Sequence, residues 1–382
     1  MSIAEETPGA EHANLALASS VGGSKGVGIG GILAAIVMAF AGFLGTAGMI
    51  HAAIRDPLRL HADMRSEKLA MLDEWRGKYF SASFGSSHMH DGFNPPAFDA
   101  AMAGFPAASS SVNLAVEGGS QSEQYAMARE FLKHLESPAA VGAPSQPCTV
   151  FLELNAGANL LTAYLVHPRS IDIYDWQTMD LISHFVSPEM PRSQRYGRTV
   201  FAAVATGLHY ANVGMLSNLI FSPPLNEEMI AKQTKDDRRG YDDLEPSAAG
   251  SARIQRGRDA APARPAISRA TMTAGNAKLI EALAGVSPAR NVSFVYVVLP
   301  FAEDLTAEKD YPDHLTVVGP TGPLEVPIID VARPELYPEL YKTNLWYDEE
   351  HLDGAGSALF SRLLAEELKK WYAAHGAPPP CG

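Results

Sequence analysis

Two short segments of the sequence carry side chains that together could perform acyl chemistry. The first reads GSSHMHDG over residues 85–92 and offers the hydroxyl of Ser87. The second reads DEEH over residues 348–351, so that Asp348 and His351 are three residues apart. A serine becomes a nucleophile when an imidazole removes its proton, and a carboxylate can orient that imidazole and stabilise its charge. The sequence therefore supplies a candidate catalytic triad.

Each segment also has an ordinary structural interpretation. Serine residues are common in Gly-rich turns, Ser86 and Ser87 included, and Asp-x-x-His before a helix could be a cap followed by a surface histidine. His88, His90 and Asp91 allow a metal-site interpretation, because imidazoles and carboxylates bind Zn²⁺ or Mn²⁺. Successive side chains of an extended segment diverge, and no further ligand cluster is evident, so we expect no metal site here.

The surrounding elements predict a parallel sheet. Strand-like apolar stretches occur at 79–84, 112–116, 149–155 and 292–300. Helices are expected between them, because Asn94-Pro95 is a favoured helix start and Ser120 with Glu123 has capping-box spacing. Apolar strands that alternate with helices indicate a three-layer α/β/α sandwich with a parallel sheet. Ligands of such sheets collect at the carboxyl ends of the strands, where residues 85–92 lie.

Residues 26–54 are predicted to form one transmembrane helix. The chain has no ionisable residue from Val27 to Ile50, and a bilayer core needs about 20 apolar residues in a helix. A cleaved signal peptide has a shorter apolar region, and a buried core helix is the remaining alternative. The run GVGIGG at 26–31 imitates a dinucleotide fingerprint, but it lacks the preceding strand, so we predict no cofactor.

Composition limits the class of protein. The 382 residues are 46% hydrophobic and 19% charged, which excludes a wholly disordered or fibrous chain. The net charge of −13 makes a nucleic-acid partner unexpected, because neutralising phosphates needs clustered basic side chains. Two cysteines, Cys148 and Cys381, exclude a disulfide-dense scaffold. Their separation does not say whether they pair.

The rest of the chain is assigned by composition. An insertion over about 167–285 separates the third and fourth strands. Its uncharged stretch Thr199–Asn226 is long enough for a second span, but polar residues interrupt it, so we predict a buried or interfacial cap helix. Residues 231–270 are polar and poor in large apolar side chains, which favours a mobile loop. The remaining predicted segments are a mobile acidic tail (1–25), a stalk helix (55–78), the globular domain (79–375) and a second tail (376–382).

The two chemical segments resemble motifs of the SGNH/GDSL hydrolases. The first block of that family is Gly-Asp-Ser followed by Gly, which residues 85–87 and Gly92 resemble with Ser86 in place of Asp. The last block is Asp-x-x-His, which residues 348–351 resemble. Gly-Ser-Ser is similar to the membrane-anchored members that work beside polysaccharide or teichoic-acid acyltransferases. The resemblance covers about 79–165 and 290–372.

The resemblance implies a serine esterase or O-acyltransferase that acts on acylated, above all acetylated, glycans. It implies Ser87 as the nucleophile, His351 as general base and then acid, and Asp348 as the residue that orients His351. Transfer and hydrolysis share one acyl-enzyme, so the motifs do not separate them.

The oxyanion donors implied by the resemblance are less well matched. The second family block supplies a glycine amide, for which Gly118 or Gly119 has a suitable position. The third block is Gly-x-Asn-Asp, and here the comparable strand ends in ELNAG, which leaves Asn155 as the equivalent donor. This departure puts catalytic efficiency in question more than the fold.

The resemblance also implies location and partners. It places the domain outside the cytoplasm, with an acyl donor, a glycan substrate and a membrane-bound O-acyltransferase or polysaccharide synthesis complex as partners. The positive-inside rule favours the opposite side. Lys25 stands alone before the span, whereas four basic residues follow it: Arg55, Arg59, Arg65 and Lys68. We expect the extracytoplasmic side, because large domains translocate despite such a bias.

Two other functions stay open. The weak third block and the large insertion favour a non-catalytic interaction module of the same fold within a membrane polysaccharide assembly. A metal-dependent hydrolase that uses His88, His90 and Asp91 is the second alternative.

Overall fold

The structure is a computed structural model. It describes residues 29–53, 64–75, 77–135, 146–154, 173–184, 192–211, 227–235, 237–259, 269–286, 291–305 and 311–381. The predictions for the tail 1–25 and for Asn155 lie outside these residues. The chain divides into two compact units, Met1–Thr46 and Ala47–Gly382.

Helix α1 (Ile29–Ala53) is the apolar helix predicted near the N-terminus. Its stretch Ile29–Met49 has a mean hydropathy of 2.1 and is long and apolar enough to cross a membrane. None of its most apolar window is buried, which is unlike the core helix of a soluble domain.

A six-stranded, mostly parallel sheet forms the centre of the second unit. The strand order is β2-β1-β3-β4-β6-β5, in which only β5 runs antiparallel to its neighbour. The predicted parallel sheet is therefore present, and the hairpin of β5 and β6 adds to it. The strands are β1 (Ser81–Phe84), β2 (Ser111–Asn113), β3 (Cys148–Glu153), β4 (Val292–Val298), β5 (His314–Gly319) and β6 (Gly322–Asp330).

Helices cover both faces of this sheet. Along β4, Phe294 and Tyr296 belong to one buried cluster, whereas Val295 and Val297 belong to the other. A strand buried on both faces explains why the sequence of β4 is continuously apolar. In the described part of this unit the α-helices are α2 (Met64–Glu74), α3 (Ser87–Gly92), α4 (Pro95–Met102), α5 (Gln121–Leu135), α6 (Trp176–His184), α7 (Arg192–Tyr210), α8 (Glu227–Gln233), α9 (Ala248–Asp259), α10 (Arg269–Val286) and α11 (Gly354–His375).

The segment predicted as a stalk contributes to the core of the domain. Its described part is α2, and Leu69 and Leu72 of this helix lie in the same buried cluster as Phe131 of α5. The helical spacing of its apolar residues was interpreted correctly, but those residues pack against the domain. A stalk is therefore the wrong description of Met64–Glu74.

The prediction of a loop over 231–270 is wrong for Ala248–Asp259, which forms α9. Ile254 of this helix is fully buried. At Gly250 an added Cβ would lie 2.3 Å from the backbone oxygen of Tyr347, so the absence of a side chain lets the helix approach that backbone closely. Helix α9 therefore packs through small residues and one apolar side chain. The prediction of a loop had assumed that packing needs several large apolar side chains.

The predicted cap helix corresponds in part to α7. Ala202 and Ala205 are buried, whereas Val200, Phe201 and Val204 are exposed. Within its described part the helix therefore has one packed face and one exposed face. Residues 212–226 of the same stretch lie outside the described residues.

A disulfide joins Cys148 to Cys381, a pairing that the sequence left open. It connects the first residue of β3 with the segment after α11, and both cysteines are fully buried. The predicted tail 376–382 is therefore tied to the sheet at Cys381. A cross-link over 233 residues restricts the unfolded chain strongly and contributes about 3–5 kcal/mol of stability.

Candidate active site

Ser87 lies at the carboxyl end of β1, where the chain turns sharply into α3. Ser86 caps this short helix, since its hydroxyl accepts a hydrogen bond from the amide of His88. An added Cβ at Gly85 would lie 2.4 Å from a carboxylate oxygen of Glu153, so only glycine fits the turn. Ser87 is then the first residue of α3. In the strand order, β1 lies between β2 and β3, which is the point where crossovers diverge and ligands of such sheets bind.

Asn113, at the end of β2, fixes the other end of α3. Its side-chain amide donates to the carbonyls of Met89, His90 and Phe93 at 2.9–3.1 Å, and its oxygen accepts from the amide of Ala115 at 3.0 Å. Asn113 is fully buried. The carbonyl of Met89 also accepts from the amide of Phe93 at 3.0 Å, so Asn113 adds to the bonding of the helix itself and gives buried carbonyls at this helix end a side-chain donor. The bonds of Asn113 hold the helix that carries Ser87 against the sheet.

The second segment is a tight turn that precedes α11. The carboxylate of Asp348 accepts hydrogen bonds from the amides of Glu350 and His351, both at 2.8 Å. The buried Trp346 anchors the start of the turn, and its indole donates to the carbonyl of Leu340 at 2.8 Å. The backbone of this turn thereby fixes the direction of Asp348 and His351.

The structure brings the two segments together. Nε2 of His351 lies 2.9 Å from Oγ of Ser87, across 264 residues of sequence. Nδ1 of His351 lies 2.9 and 3.0 Å from the two carboxylate oxygens of Asp348. Partial burial disfavours a charged Asp348, but hydrogen bonds from the Glu350 amide and His351, with the charge of His351, hold the pKa of Asp348 below its ordinary value. An ionised Asp348 favours the tautomer in which Nδ1 carries the proton and Nε2 accepts from Ser87.

A buried carboxylate lies behind the nucleophile turn. Glu153, at the end of β3, accepts from the amide of Ser86 at 2.6 Å and from its hydroxyl at 3.0 Å. The same hydroxyl lies 2.9 Å from Nδ1 of His88. Because its one hydrogen goes to Glu153, the hydroxyl of Ser86 accepts from His88. Sequence reasoning missed Glu153, because a single acidic residue at the end of an apolar strand has no spacing that reveals its partner.

His88 packs directly against the triad. Its ring is nearly parallel to that of His351, with centroids 4.9 Å apart and an angle of 9°. Burial disfavours a charged ring, but the hydrogen bond and charge of Glu153, with the charges of Glu350 and Asp91, raise the pKa of His88 above its ordinary value. Its Nε2 is buried, 3.7 Å from the carboxylate of Glu350.

Of the predicted oxyanion donors, Gly119 is excluded by its own hydrogen bond, whereas Gly118 and Asn155 are not tested. The amide of Gly119 donates to the carbonyl of Val116 at 2.8 Å, so this amide is not available to a substrate. Gly119 instead brings its loop against the nucleophile turn, since an added Cβ would lie 2.5 Å from the carbonyl oxygen of Gly85. Gly118 stays a prediction. The amide of Ser87 is a further candidate, because amides in the first turn of a helix have no acceptor within it.

His90 and Asp91 do not join His88 in a metal-ligand group. Nδ1 of His90 lies 2.7 Å from Asp91, and its Nε2 lies 3.3 Å from the side-chain nitrogen of Gln233. The pair is buried and internally satisfied. Among the described residues, the one group of potential ligands is His88, Glu350 and His351, whose ligand atoms all lie within 4.8 Å of one another.

No protein-family model matches the chain, and comparisons with curated proteins and with solved structures return no match. The structure shows a mixed α/β domain in which a serine after strand β1 is in hydrogen-bond contact with a histidine and, through it, with an aspartate of the turn before α11. Its relation to the SGNH/GDSL hydrolases rests on the two motifs alone.

Proposed function

We propose that the chain is a membrane-anchored, SGNH-like serine esterase or O-acyltransferase that acts on acetylated or otherwise acylated glycans. The observation that carries this proposal is the continuous contact from Ser87 through His351 to Asp348. The non-catalytic alternative needs no such contact. A serine, a histidine and a carboxylate in this order form a triad that catalyses acyl transfer on several unrelated folds.

In the first half-reaction, His351 removes the proton of Ser87 while Oγ attacks the acyl carbonyl. Asp348 stabilises the imidazolium that forms. When the tetrahedral intermediate collapses, the bond to the sugar oxygen breaks and His351 gives its proton to that oxygen. The acyl group is then bound to Ser87.

In the second half-reaction, water or another sugar hydroxyl replaces the first leaving group. His351 removes its proton as the oxygen attacks the acyl-enzyme, and it returns a proton to Ser87 when the new ester or acid leaves. The amide of Ser87, with that of Gly118, is placed in this proposal as donor to the oxyanion. Loss of one such donor typically costs about 3–4 kcal/mol of transition-state stabilisation.

The location proposed is a single-pass membrane protein with its main domain outside the cytoplasm. Helix α1 supplies a stretch that can cross the bilayer. The Cys148–Cys381 disulfide supports the outer side, because such bonds persist in oxidising compartments and are rare in the cytoplasm. This consideration outweighs the charge bias of the flanking residues. The proposed partners are an acyl donor, a glycan and a membrane-bound O-acyltransferase or polysaccharide synthesis complex.

An ester-hydrolysis assay tests the proposal. The full-length protein in detergent is expected to release acetate from acetylated sugars, and Ser87→Ala is expected to reduce the rate at least 10³-fold. Ser193→Ala, at an exposed serine of α7, is the matched control and should leave the rate unchanged. Equal rates for the wild type and Ser87→Ala would support the non-catalytic module.

A further inference from the structure

Three metal-ligating side chains converge beside the triad serine. Nε2 of His88 lies 3.7 Å from Oε2 of Glu350, and the ligand atoms of these residues and of His351 all lie within 4.8 Å of one another. His88 belongs to α3, whereas the other two belong to the turn before α11. The cluster is therefore built by the tertiary fold.

Hydrogen bonds fix which nitrogen each imidazole presents to the cluster. Nδ1 of His351 is bound by Asp348, so its lone pair is on Nε2. Nδ1 of His88 donates to Ser86, whose hydroxyl donates to Glu153, so its lone pair is also on Nε2. Metal-binding histidines commonly have their second nitrogen held by a carboxylate or another acceptor, which orients the ring. Both imidazoles here have such support.

The second indication is an unsatisfied buried atom. Nε2 of His88 is buried and has no hydrogen-bond partner in the described part of the chain. An unpaired buried polar atom destabilises the fold unless a partner satisfies it. Its position next to two further ligand atoms indicates that a ligand satisfies it.

We propose that His88, His351 and Glu350 together bind one Zn²⁺ ion, with a fourth coordination position open beside Ser87. Two imidazoles and a carboxylate form a ligand set typical of Zn²⁺ sites with an open position. Mg²⁺ and Ca²⁺ prefer oxygen ligands, so they are excluded.

Binding requires modest rearrangement. A tetrahedral Zn²⁺ ion holds nitrogen and oxygen ligands roughly 3.3 Å apart, so the cluster must contract. The side chain of Glu350 is 57% exposed and can move at little cost. The nearly parallel rings of His88 and His351 must also turn toward each other, because a metal lies in the plane of each ring that binds it.

Zn²⁺ and Ser87 compete for the same lone pair. When Zn²⁺ occupies Nε2 of His351, this nitrogen can no longer accept the proton of Ser87, and the serine is not activated. Zn²⁺ is therefore an inhibitor of the proposed acyl chemistry. The inhibition rests on the proposed function, whereas the binding does not.

Calorimetric titration of full-length Ser87→Ala in detergent with ZnCl₂ at pH 8 tests the binding. This pH limits competition from protons, and the substitution removes the hydroxyl that competes for Nε2. One ion per chain is expected, and adding His88→Asn or Glu350→Gln should weaken binding at least tenfold. Adding His375→Asn, at an exposed histidine of α11, should leave the affinity unchanged, and MgCl₂ should give no binding.

A second readout uses the wild-type protein and its rate of reaction with a serine-directed fluorophosphonate. Zn²⁺ should slow this reaction, EDTA should restore it, and Glu350→Gln should raise the inhibitory concentration at least tenfold. Unchanged Zn²⁺ affinity in both His88→Asn and Glu350→Gln would overturn the site. A wild type that the fluorophosphonate does not label contradicts the proposed function instead, and the calorimetric result still decides the metal site.

Discussion

The carboxylate of Glu153 binds both the amide and the hydroxyl of Ser86, the residue directly before the proposed nucleophile. Glu153 is buried at the end of β3, and Ser86 lies in the turn between β1 and α3. One carboxylate therefore connects two neighbouring strand ends. Ser86 stands where the SGNH/GDSL motif that residues 85–87 resemble has Asp, and Glu153 supplies a carboxylate to this turn from another strand.

Glu153→Gln is expected to disturb the position of Ser87. The glutamine can accept only one of the two hydrogen bonds, and its NH₂ group faces a donor of Ser86, so about 1–3 kcal/mol of stability is lost. The rate of fluorophosphonate labelling should fall at least tenfold. Glu325→Gln, at an exposed position of β6, serves as the control. Unchanged stability and labelling in Glu153→Gln would contradict a role of this carboxylate in holding the turn.

Asn113→Ala tests whether the side chain of Asn113 holds α3 in place. Removing the side chain leaves the carbonyls of Met89, His90 and Phe93 without its hydrogen bonds in a buried environment, which should cost about 2–4 kcal/mol. Urea unfolding measures this cost, with Asn291→Ala at an exposed position as the matched control. A loss no greater than in the control would show that α3 does not depend on Asn113.

The disulfide predicts how the protein responds to reduction. Cys148→Ser combined with Cys381→Ser should lower the free energy of unfolding by about 3–5 kcal/mol, because the unfolded chain gains freedom. Protein extracted from membranes without reductant should contain no thiol that reacts with maleimide after denaturation. Two reactive thiols per chain in such extracts would contradict both the bond and the oxidising compartment that we propose.

Lys68 predicts a dependence of stability on pH. This residue is fully buried and donates to the carbonyls of Gly240 and Asn113. Burial lowers its pKa from the ordinary 10.5 to about 7. The negative charges of Asp91 and Asp242 raise this pKa, but their effect is smaller than that of burial. At pH values between these two pKa values, Lys68 is protonated in the unfolded chain and neutral in the folded chain. The free energy of unfolding therefore rises with pH over this range. The slope is at most about 1.4 kcal/mol per pH unit.

Urea unfolding of Lys68→Met at pH 7, 8 and 9 measures this contribution. The difference in stability between wild type and variant should grow in favour of the wild type as pH rises. Lys370→Met, at an exposed lysine, should follow the wild type. A difference that stays constant from pH 7 to pH 9 would show that Lys68 keeps its ordinary pKa.

Sequence motifs predicted some residues of the site, whereas other residues of the site were found only in the structure. The contact of Ser87 with His351 was expected, because the Gly-Ser-Ser and Asp-x-x-His segments together supply the residue types of a catalytic triad. Glu153 and Asn113 were not found, since a single polar residue in an apolar strand has no spacing that reveals its partners. The roles of these residues in catalysis stay predictions.

The sequence likewise predicted some elements of the fold and missed others. Continuous apolar runs predicted β3 and β4, whereas β5 and β6 were missed because prolines interrupt the pattern of β6. Pro323 and Pro327 are tolerated because this part of β6 pairs only with β5, and the pairing with β4 begins at Ile328. Helix α9 was missed for a different reason: its packing depends on glycine and alanine, which carry little periodic signal.

In the proposed mechanism, His351 activates Ser87 for attack on an acyl carbonyl. Mass-spectrometric mapping of the fluorophosphonate adduct on the full-length protein measures this activation. We expect one adduct, on Ser87, whose formation slows at least 10³-fold in His351→Asn and is unaffected in the control His375→Asn. An adduct on another serine, or equal labelling rates in the wild type and His351→Asn, would contradict it.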